Sequence, residues 1–577
     1  MPRIHILLSF LLLLPATFAQ AGELRIEAQL AHDGALELRY TPPAGIRELP
    51  FWNASPDAGK RWRDGLFQPA DDCTEVTGTG LRLRASPACT AATIRIVPRE
   101  LALDAVYEPA QPISDGSGVL LYVGHYAVLL PGHALRWQWR APSNGYVIHR
   151  GRVRRSTVEQ FASAAVVNRA LAQPDEAAER DLGTHQMVFI GRTPFESFAQ
   201  GVLVVDPHLD VPRAARVRAT LSNAVDSLTR AYGRKLDGRF AVVAALSSQP
   251  GFHGDTADGQ AMRLRLPEDA STMGDNELEM LVSHEAAHWW NAGVYASDSA
   301  RPWLHEGNAE WVARLLMLRS GAMTLEELRL DLERAMNRCL QVRGGKPAVD
   351  MPPGRQGDDP YACGMSLMSI AHAQRLRSGA DGADTDPLRL IAGLYRRQTL
   401  LDAAGFADWA DGGRAGAMTH LLSDPGVGFA DGLMALSTTL ELADAEPLTA
   451  QTDLPQASRT QLASGLVSVL MAHDCGGDVS FWRQSDGFAI DPDLRCRTLR
   501  GGDVVQAVAG TTLSASPVAA WQAATSACET KGEVEVTSAG GHAVRLQCPK
   551  PMPSMSIAVW LRLRPNALAH LGLRSAE

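Results

Sequence analysis

The hydrophobic periodicity of the chain changes twice, and this change restricts the possible architectures more than any other feature of the sequence. Over residues 23–144 apolar residues alternate with polar ones, beginning with Leu24 and Ile26, a pattern typical of antiparallel strands. Residues 275–445 follow a helical repeat, and short strand-like runs return after residue 447. We therefore predict a multidomain α+β protein with a β-rich N-terminal domain.

These changes, together with the N-terminal sequence, divide the chain into four segments. We place them at residues 1–21, 22–165, 166–447 and 448–577. In the third segment we predict strands over 186–191 and 240–246, and helices over 214–232, 277–292, 308–319, 325–342 and 365–377. In the last segment we predict a helix over 518–524 and strands over 465–471, 504–508, 533–536 and 543–546.

The first 21 residues have the pattern of a secretory signal peptide. Arg3 supplies a positive charge, an apolar run covers residues 6–14, and Ala19 and Ala21 are small residues suited to a cleavage site. We expect cleavage after Ala21, or alternatively after Ala19. Because no cysteine at the cut can accept lipid, we expect a periplasmic or secreted protein with no stable membrane anchor.

The net charge of −9 and the absence of any long Lys/Arg run provide no basic surface for phosphate groups. We therefore expect no nucleic-acid partner. No residue pattern indicates an oligomeric state.

Eight cysteines fall into four couples of neighbours along the chain. An even number of cysteines in an exported protein favours disulfides over zinc thiolates, and no Cys-x-x-Cys motif occurs. The alternative is eight buried free thiols. The predicted couples are Cys73 with Cys89, Cys339 with Cys363, Cys475 with Cys496, and Cys528 with Cys548.

A His-Glu-x-x-His motif, His284-Glu285-Ala-Ala-His288, lies inside the predicted helix 277–292. Residues four apart project from one face of a helix, so the two histidines can occupy two corners of a tetrahedral zinc site. Glu285 is then placed to take a proton from a water molecule whose pKa the metal lowers. The alternative is an amphipathic helix with two surface histidines, and a third ligand decides between them.

A second motif, Trp303-Leu-His-Glu306-Gly307, follows, with seventeen residues between His288 and Glu306. Here the chain resembles gluzincin metallopeptidases of the aminopeptidase N type, whose second motif reads Trp-Leu-Asn-Glu-Gly-Phe-Ala and supplies the third zinc ligand. The gap is one residue shorter than is usual in that family. The resemblance implies Zn²⁺ bound by His284, His288 and Glu306 in a thermolysin-like α/β core with a helical lobe.

The resemblance and the sequence spacing suggest roles at this site for two further residues, Tyr361 and Glu310. Tyr361-Ala-Cys363-Gly364 resembles the family's Tyr-x-Lys-Gly segment, whose tyrosine stabilises the oxyanion of the tetrahedral intermediate, although Cys363 replaces the lysine. The alternative is that Tyr361 is an ordinary loop tyrosine. Glu310 lies four residues after Glu306, and it can hydrogen-bond the distal nitrogen of a ligand histidine or remain a solvated helix carboxylate.

One departure from the family concerns the substrate. Aminopeptidases of this type bind the free amine of their substrate through a Gly-x-Met-Glu-Asn strand ahead of the zinc helix. The nearest equivalent here is Gly259-Gln-Ala-Met262-Arg263, which has arginine in place of the glutamate. The resemblance therefore implies an aminopeptidase-like enzyme that lacks the usual amine-recognition glutamate.

The C-terminal segment resembles the second half of a PDZ domain, through the strand 504–508, the helix 518–524 and a Gly540-Gly541 hairpin. No carboxylate-binding loop is recognisable near its start. Gluzincins of the glycyl aminopeptidase type also place a zinc unit between an N-terminal β domain and a C-terminal PDZ-like domain. This similarity implies a small PDZ-like domain over residues 448–577.

Taken together, the motifs and the resemblance imply an exported zinc metallopeptidase that hydrolyses a peptide or protein substrate. Two alternatives remain open at this point. In the first alternative the chain is a non-catalytic binding protein that retains the zinc scaffold. In the second it is a zinc esterase or amidase that shares every catalytic residue with the peptidase.

Overall fold

The computed structural model describes residues 22–52, 63, 65–100, 107–198, 201–236, 238–249, 251–257, 260–294, 296–298, 300–344, 346–351, 359–379, 385–397, 400–454, 456–485, 487–491, 494–552 and 559–573. The predicted signal peptide at residues 1–21 lies outside these residues. The chain forms two compact units, the first extending to Ala214 and including Gly238–Met273, the second comprising Ala215–Asp237 and Gly274–Glu577. The domain boundaries at residues 165 and 447 stay predictions.

The first unit is built mainly of strands. In chain order its elements are β1 Glu23–Leu30, β2 Leu36–Thr41, β3 Glu48–Pro50, β4 Gln68–Pro69, β5 Thr74–Thr77, β6 Gly80–Leu83, β7 Ala92–Ile96, β8 Ala110–Pro112, β9 Gly118–Tyr122, β10 Ala134–Arg140, β11 Tyr146–His149, β12 Arg152–Arg154, β13 Val158–Ala162, α1 Ala164–Ala172, α2 Glu176–Leu182, β14 Met187–Gly191, β15 Phe195–Phe198, β16 Gly201–Val205, the start of α3 Val211–Tyr232, β17 Phe240–Ser247, β18 His253–Ala257 and β19 Ala261–Pro267.

These strands form separate sheets, and the N-terminal one has the order β13-β10-β1-β2-β7-β4. In it β1 pairs antiparallel with β2 and parallel with β10. Leu24 and Ile26 are buried while Arg25 between them is exposed, so the period-two pattern corresponds to one core-facing side of β1. The other sheets have the orders β12-β11-β14-β9-β8, β3-β6-β5 and β15-β16-β17-β19-β18.

In the last of these sheets β16, β17 and β19 are parallel, and the two edge strands are antiparallel to them. Strands β16 and β17 are almost entirely buried, as expected for parallel strands covered on both faces.

The second unit is mainly helical as far as β22. Its elements in chain order are the rest of α3, α4 Asp275–His288, a π-helix Trp289–Val294, β20 Ala296–Ser297, α5 Trp303–Ser320, α6 Leu325–Arg343, a π-helix Asp359–Cys363, α7 Gly364–Ser378, α8 Pro387–Arg396, β21 Leu400–Leu401, α9 Ala403–Ala410, α10 Ala417–Ser423, α11 Phe429–Thr439, β22 Ala443–Pro447, α12 Gln456–Asp474, β23 Phe481–Gln484, β24 Gly487–Ile490, β25 Val504–Val508, β26 Thr511–Thr512, α13 Pro517–Lys531, β27 Glu533–Ser538, β28 Ala543–Gln547, β29 Val559–Leu563 and α14 Ala567–His570.

The C-terminal part of this unit contains a sheet of order β23-β24-β25-β27-β28 and a core shared with α12 and α13. The strand predicted over 465–471 is wrong, because these residues lie within α12. Leu462, Leu466 and Leu470 are buried at a spacing of four, a helical repeat that a seven-residue window is too short to reveal. The PDZ-like assignment of this part stays a prediction.

All four predicted disulfides are present as bonds between neighbouring cysteines, namely Cys73–Cys89, Cys339–Cys363, Cys475–Cys496 and Cys528–Cys548. The Cys339–Cys363 bond joins the C-terminal half of α6 to the π-helix that precedes α7. No helix in the described part of the chain has both the length and the apolar character needed to cross a bilayer.

Candidate active site

Helix α4 carries the His-Glu-x-x-His motif. The helix begins after Gly274, whose N–H donates to the Glu277 carboxylate at 2.7 Å, so the first turn is capped by its own acidic residue. The spacing of four places His284 and His288 on one face, where their Nε2 atoms lie 3.1 Å apart. Both imidazoles are buried.

Helix α5 brings a carboxylate to these two imidazoles. Glu306 lies in its first turn, and its Oε2 atom is 3.3 Å from Nε2 of His284 and 3.3 Å from Nε2 of His288. Burial raises the pKa of the Glu306 carboxyl, but the neighbouring histidines lower it well below its usual value, so the group is ionised.

The three atoms therefore form a nearly equilateral triangle with edges of 3.1, 3.3 and 3.3 Å. A tetrahedral zinc site with metal–ligand distances of about 2.0–2.1 Å has ligand–ligand edges of about 3.3–3.4 Å. Two imidazole nitrogens and one carboxylate oxygen are also the donor set of many catalytic zinc sites, with the fourth corner left open. In spacing and in chemistry, the residues fit a zinc ion.

Glu285, which follows His284 directly in the sequence, is also buried. A carboxylate oxygen of Glu285 and one ring nitrogen of each histidine lie within 4.8 Å of one another. This places a carboxylate close to both imidazoles, within reach of a water molecule at the triangle.

Glu310 contacts the far side of His284. Its Oε1 atom lies 3.0 Å from Nδ1 of His284, and its Oε2 atom accepts from Arg314 at 2.6 Å. Burial raises the pKa of Glu310, but Arg314 and His284 lower it to about 2. The Glu310 carboxylate therefore lies against Nδ1 of His284, on the side away from the Nε2 atom that faces Glu306.

Sequence reasoning missed several polar residues around this site. Asn291, in the π-helix after α4, has its Oδ1 atom 3.1 Å from Nδ1 of His288, and its Nδ2 donates to the main-chain oxygen of His305 and to Oδ1 of Asn308. His305 itself lies with Nε2 3.3 Å from Oε1 of Glu306. No motif marks these residues, although the substitution of His305 for the asparagine of the family motif was visible in the sequence.

Tyr361 reaches the site from the π-helix Asp359–Cys363. Its ring centroid is 6.2 Å from that of His284. The backbones of α5 and α7 touch here, since a Cβ atom on Gly364 would lie 2.6 Å from Cα of Gly307 and 2.6 Å from the carbonyl oxygen of Trp303. The glycines of the two motifs therefore permit the approach that brings Tyr361 to His284.

Comparison with solved structures finds an aminopeptidase N family protein from Idiomarina loihiensis, with a TM-score of 0.50 over 95% of this chain and 99% of that chain, at 15% sequence identity. An M1 zinc metallopeptidase from Deinococcus radiodurans gives a TM-score of 0.37 over 71% of this chain and 93% of that chain, at 14% identity. No protein-family model and no curated protein matches the chain.

The fold is thus similar to that of an aminopeptidase N family protein. This likeness agrees with the predicted mixed α+β multidomain architecture, with its β-rich N-terminal region and its helical region.

Residues 261–263 of the segment that resembles the amine-recognition strand lie in β19 of the first unit, and Gly259 lies outside the described residues. Arg263, at the position of the family glutamate, is only 2% exposed and forms ion pairs with Asp255 and, at 3.1 Å, with Glu108. Arg265 pairs with the same Glu108 at 2.7 Å. The two arginines therefore belong to a buried, charge-balanced cluster within the first unit.

Proposed function

We propose that the protein is an exported zinc metallopeptidase that hydrolyses peptide bonds in a peptide or protein substrate. The observation that carries the proposal is the triangle of His284, His288 and Glu306 donor atoms, with Glu285 beside it. A purely structural zinc site has four protein ligands and needs no buried carboxylate beside them, so this arrangement favours a catalytic site over the non-catalytic scaffold.

In this proposal His284, His288 and Glu306 hold the ion. Bound zinc supplies a Lewis acid that polarises the substrate carbonyl and lowers the pKa of a water molecule. Glu285 accepts the proton of the attacking water, whose oxygen bonds to the carbonyl carbon. Glu285 then delivers that proton to the amine nitrogen as the C–N bond breaks. Glu310 contacts Nδ1 of His284 and Asn291 contacts Nδ1 of His288, and these contacts hold the two imidazoles in orientation.

In this proposal Tyr361 stabilises the oxyanion of the tetrahedral intermediate. Its hydroxyl would donate to the carbonyl oxygen as that oxygen gains negative charge, a contribution of about 3 kcal/mol for one such donor. The position of its ring against His284 supports this role.

The mode of substrate recognition is proposed to differ from that of the related aminopeptidases. Arg263 is a cation held by Asp255 and Glu108, so this stretch provides no free carboxylate for a substrate ammonium group. We propose an aminopeptidase-like enzyme that lacks the usual amine-recognition glutamate. Export to the periplasm or medium, and a PDZ-like C-terminal domain, belong to the same proposal.

The test uses purified full-length mature protein and a peptide library, with cleavage products identified by mass spectrometry. Glu285→Gln should retain stoichiometric zinc and lose hydrolysis, because an amide of nearly the same shape cannot accept the proton of water. Ester and non-peptide amide substrates are assayed in parallel, and cleavage of these alone would replace the peptidase by an esterase or amidase. Wild-type turnover by Glu285→Gln would refute the general-base role.

A further inference from the structure

Asn291 lies between the two helices that carry the metal-binding residues. It is fully buried at the start of the π-helix that continues α4, and its side chain contacts both α4 and α5. The three atoms it contacts are Nδ1 of His288 at 3.1 Å, the main-chain oxygen of His305 at 2.8 Å and Oδ1 of Asn308 at 3.0 Å.

The partners of Asn291 determine which way its amide points. A main-chain carbonyl oxygen can only accept a hydrogen bond, so the atom of Asn291 facing His305 must be the NH₂ group. The Oδ1 atom of Asn291 is then the one that faces His288, and because it is an acceptor, Nδ1 of His288 must carry the proton.

This assignment leaves Nε2 of His288 as the nitrogen with the free lone pair. Nε2 is the atom that lies 3.1 Å from Nε2 of His284 and 3.3 Å from Oε2 of Glu306. A neutral imidazole binds a metal only through its unprotonated nitrogen, and the hydrogen bond of the other nitrogen selects which one that is.

We propose that Asn291 is a positioning residue that fixes His288 in its Nδ1-protonated form, with Nε2 directed at the metal position, and that it does so from a point anchored to α5. The inference rests on the zinc site of the proposed function. The side chain of Asn291 contacts His288, His305 and Asn308, so its effect should appear in metal affinity and in the tautomer of His288.

Metal affinity is measured on Asn291→Leu by competition with a zinc chelator, in the absence of substrate. Loss of a hydrogen-bond partner behind a ligand histidine typically weakens metal binding by about 10–100-fold, and we expect a rise of that size in the zinc Kd. Gln111→Leu is the matched control. Gln111, in β8 of the first unit, is equally buried, and its Nε2 donates to Oε1 of Glu100 at 2.7 Å and to the main-chain oxygen of Leu246 at 3.4 Å, so its loss should leave the zinc Kd of the folded protein unchanged.

The tautomer is read by ¹⁵N NMR of metal-free protein labelled at histidine, with the His288 signals assigned from His288→Gln. We expect an Nδ1-protonated His288 in the wild type and a mixture of tautomers in Asn291→Leu. An Nε2-protonated His288 in the wild type, or an unchanged zinc Kd in Asn291→Leu, overturns the proposal.

Asn291→Asp provides a second variant if Asn291→Leu does not fold. Its carboxylate still accepts from Nδ1 of His288, so zinc should bind at least as tightly as in the wild type. If Asn291→Asp instead raises the zinc Kd as much as Asn291→Leu does, the contact with His288 is not the cause and the proposal is wrong. A wild-type protein that binds no zinc contradicts the proposed function, and the tautomer measurement still tests Asn291.

Discussion

The contact between Gly307 and Gly364 offers a direct test of how the site is assembled. In Gly364→Ala the new Cβ atom would lie 2.6 Å from Cα of Gly307 and 2.6 Å from the carbonyl oxygen of Trp303. Carbon atoms in contact normally lie about 3.5–4.0 Å apart, so α5 and α7 must separate by roughly 1 Å. Both obstructing atoms belong to the backbone, so no side-chain rotation relieves the clash.

The expected cost follows from this displacement. Overpacking of this kind destabilises by about 1–3 kcal/mol, and a loss of about 2 kcal/mol lowers Tm by about 3 °C in a unit of roughly 330 residues. Tyr361 and Glu306 lie on the two separating segments, and a misplacement of about 1 Å can reduce turnover on the order of a hundredfold. We therefore expect Gly364→Ala to lose more activity than its fall in Tm alone explains.

The assay is thermal unfolding together with turnover measured well below Tm, where the variant is fully folded. Gly393→Ala is the control, because Gly393 lies within α8 and a Cβ atom there meets nothing within 4 Å. Alanine at that position should raise stability by up to about 1 kcal/mol through helix propensity and leave turnover unchanged. A Gly364→Ala protein with wild-type Tm and turnover would show that the close backbone contact does not position Tyr361.

Three further predictions concern the metal, the disulfide and pH. Glu306→Ala should lose zinc on dialysis while Glu310→Ala retains most of it, since only Glu306 is a proposed ligand; full zinc occupancy in Glu306→Ala by elemental analysis would exclude it. Replacing Cys339 and Cys363 by serine should reduce turnover more than zinc content, because the bond closes a loop of about 25 residues, worth ~3 kcal/mol, and holds the segment of Tyr361; equal losses would contradict this. Burial lowers the pKa of His372 to about 4 in the folded state, from about 6.5 in the unfolded chain. The stability that is present above pH 6.5 should therefore be lost as the pH falls through 4, by roughly 3 kcal/mol. Urea unfolding of His372→Leu should lack this part of the pH dependence.

Part of the grouping of the proposed metal ligands could be predicted from local spacing. His284 and His288 lie on one helix, so the motif and the helical repeat place their side chains together. Glu306 precedes the predicted helix 308–319 and was proposed only through the resemblance of its motif, whereas α5 begins at Trp303 and includes it. The disulfides joined the nearest cysteines in sequence, which was also the simplest prediction.

The residues that were missed act across elements. Asn291 and His305 belong to no periodic pattern, and their contacts depend on how α4 and α5 pack. In the sequence Arg263 is only a departure from a family motif. Its partner Asp255 is brought beside it by the pairing of β18 with β19, and its partner Glu108 lies in a loop distant in sequence. The prediction of a strand within α12 was wrong for a local reason. The stretch considered was too short to show the helical repeat of the whole segment.

Helix α6 supplies no proposed ligand, yet it supports the site at two separate points. Asp331 lies 3.2 Å from Nε of Arg314, Arg314 pairs with Glu310, and Glu310 contacts Nδ1 of His284, so charges of alternating sign lead from α6 to one face of the ligand histidine. Two turns further along α6, Cys339 is bonded to Cys363 beside Tyr361, whose ring lies against the same imidazole. A displacement of α6 would therefore move both the Glu310–Arg314 ion pair, which contacts His284, and Tyr361, the proposed oxyanion donor. Both connections are short, one covalent and one a chain of half-buried ion pairs, so the position of α6 is a determinant of the geometry at His284.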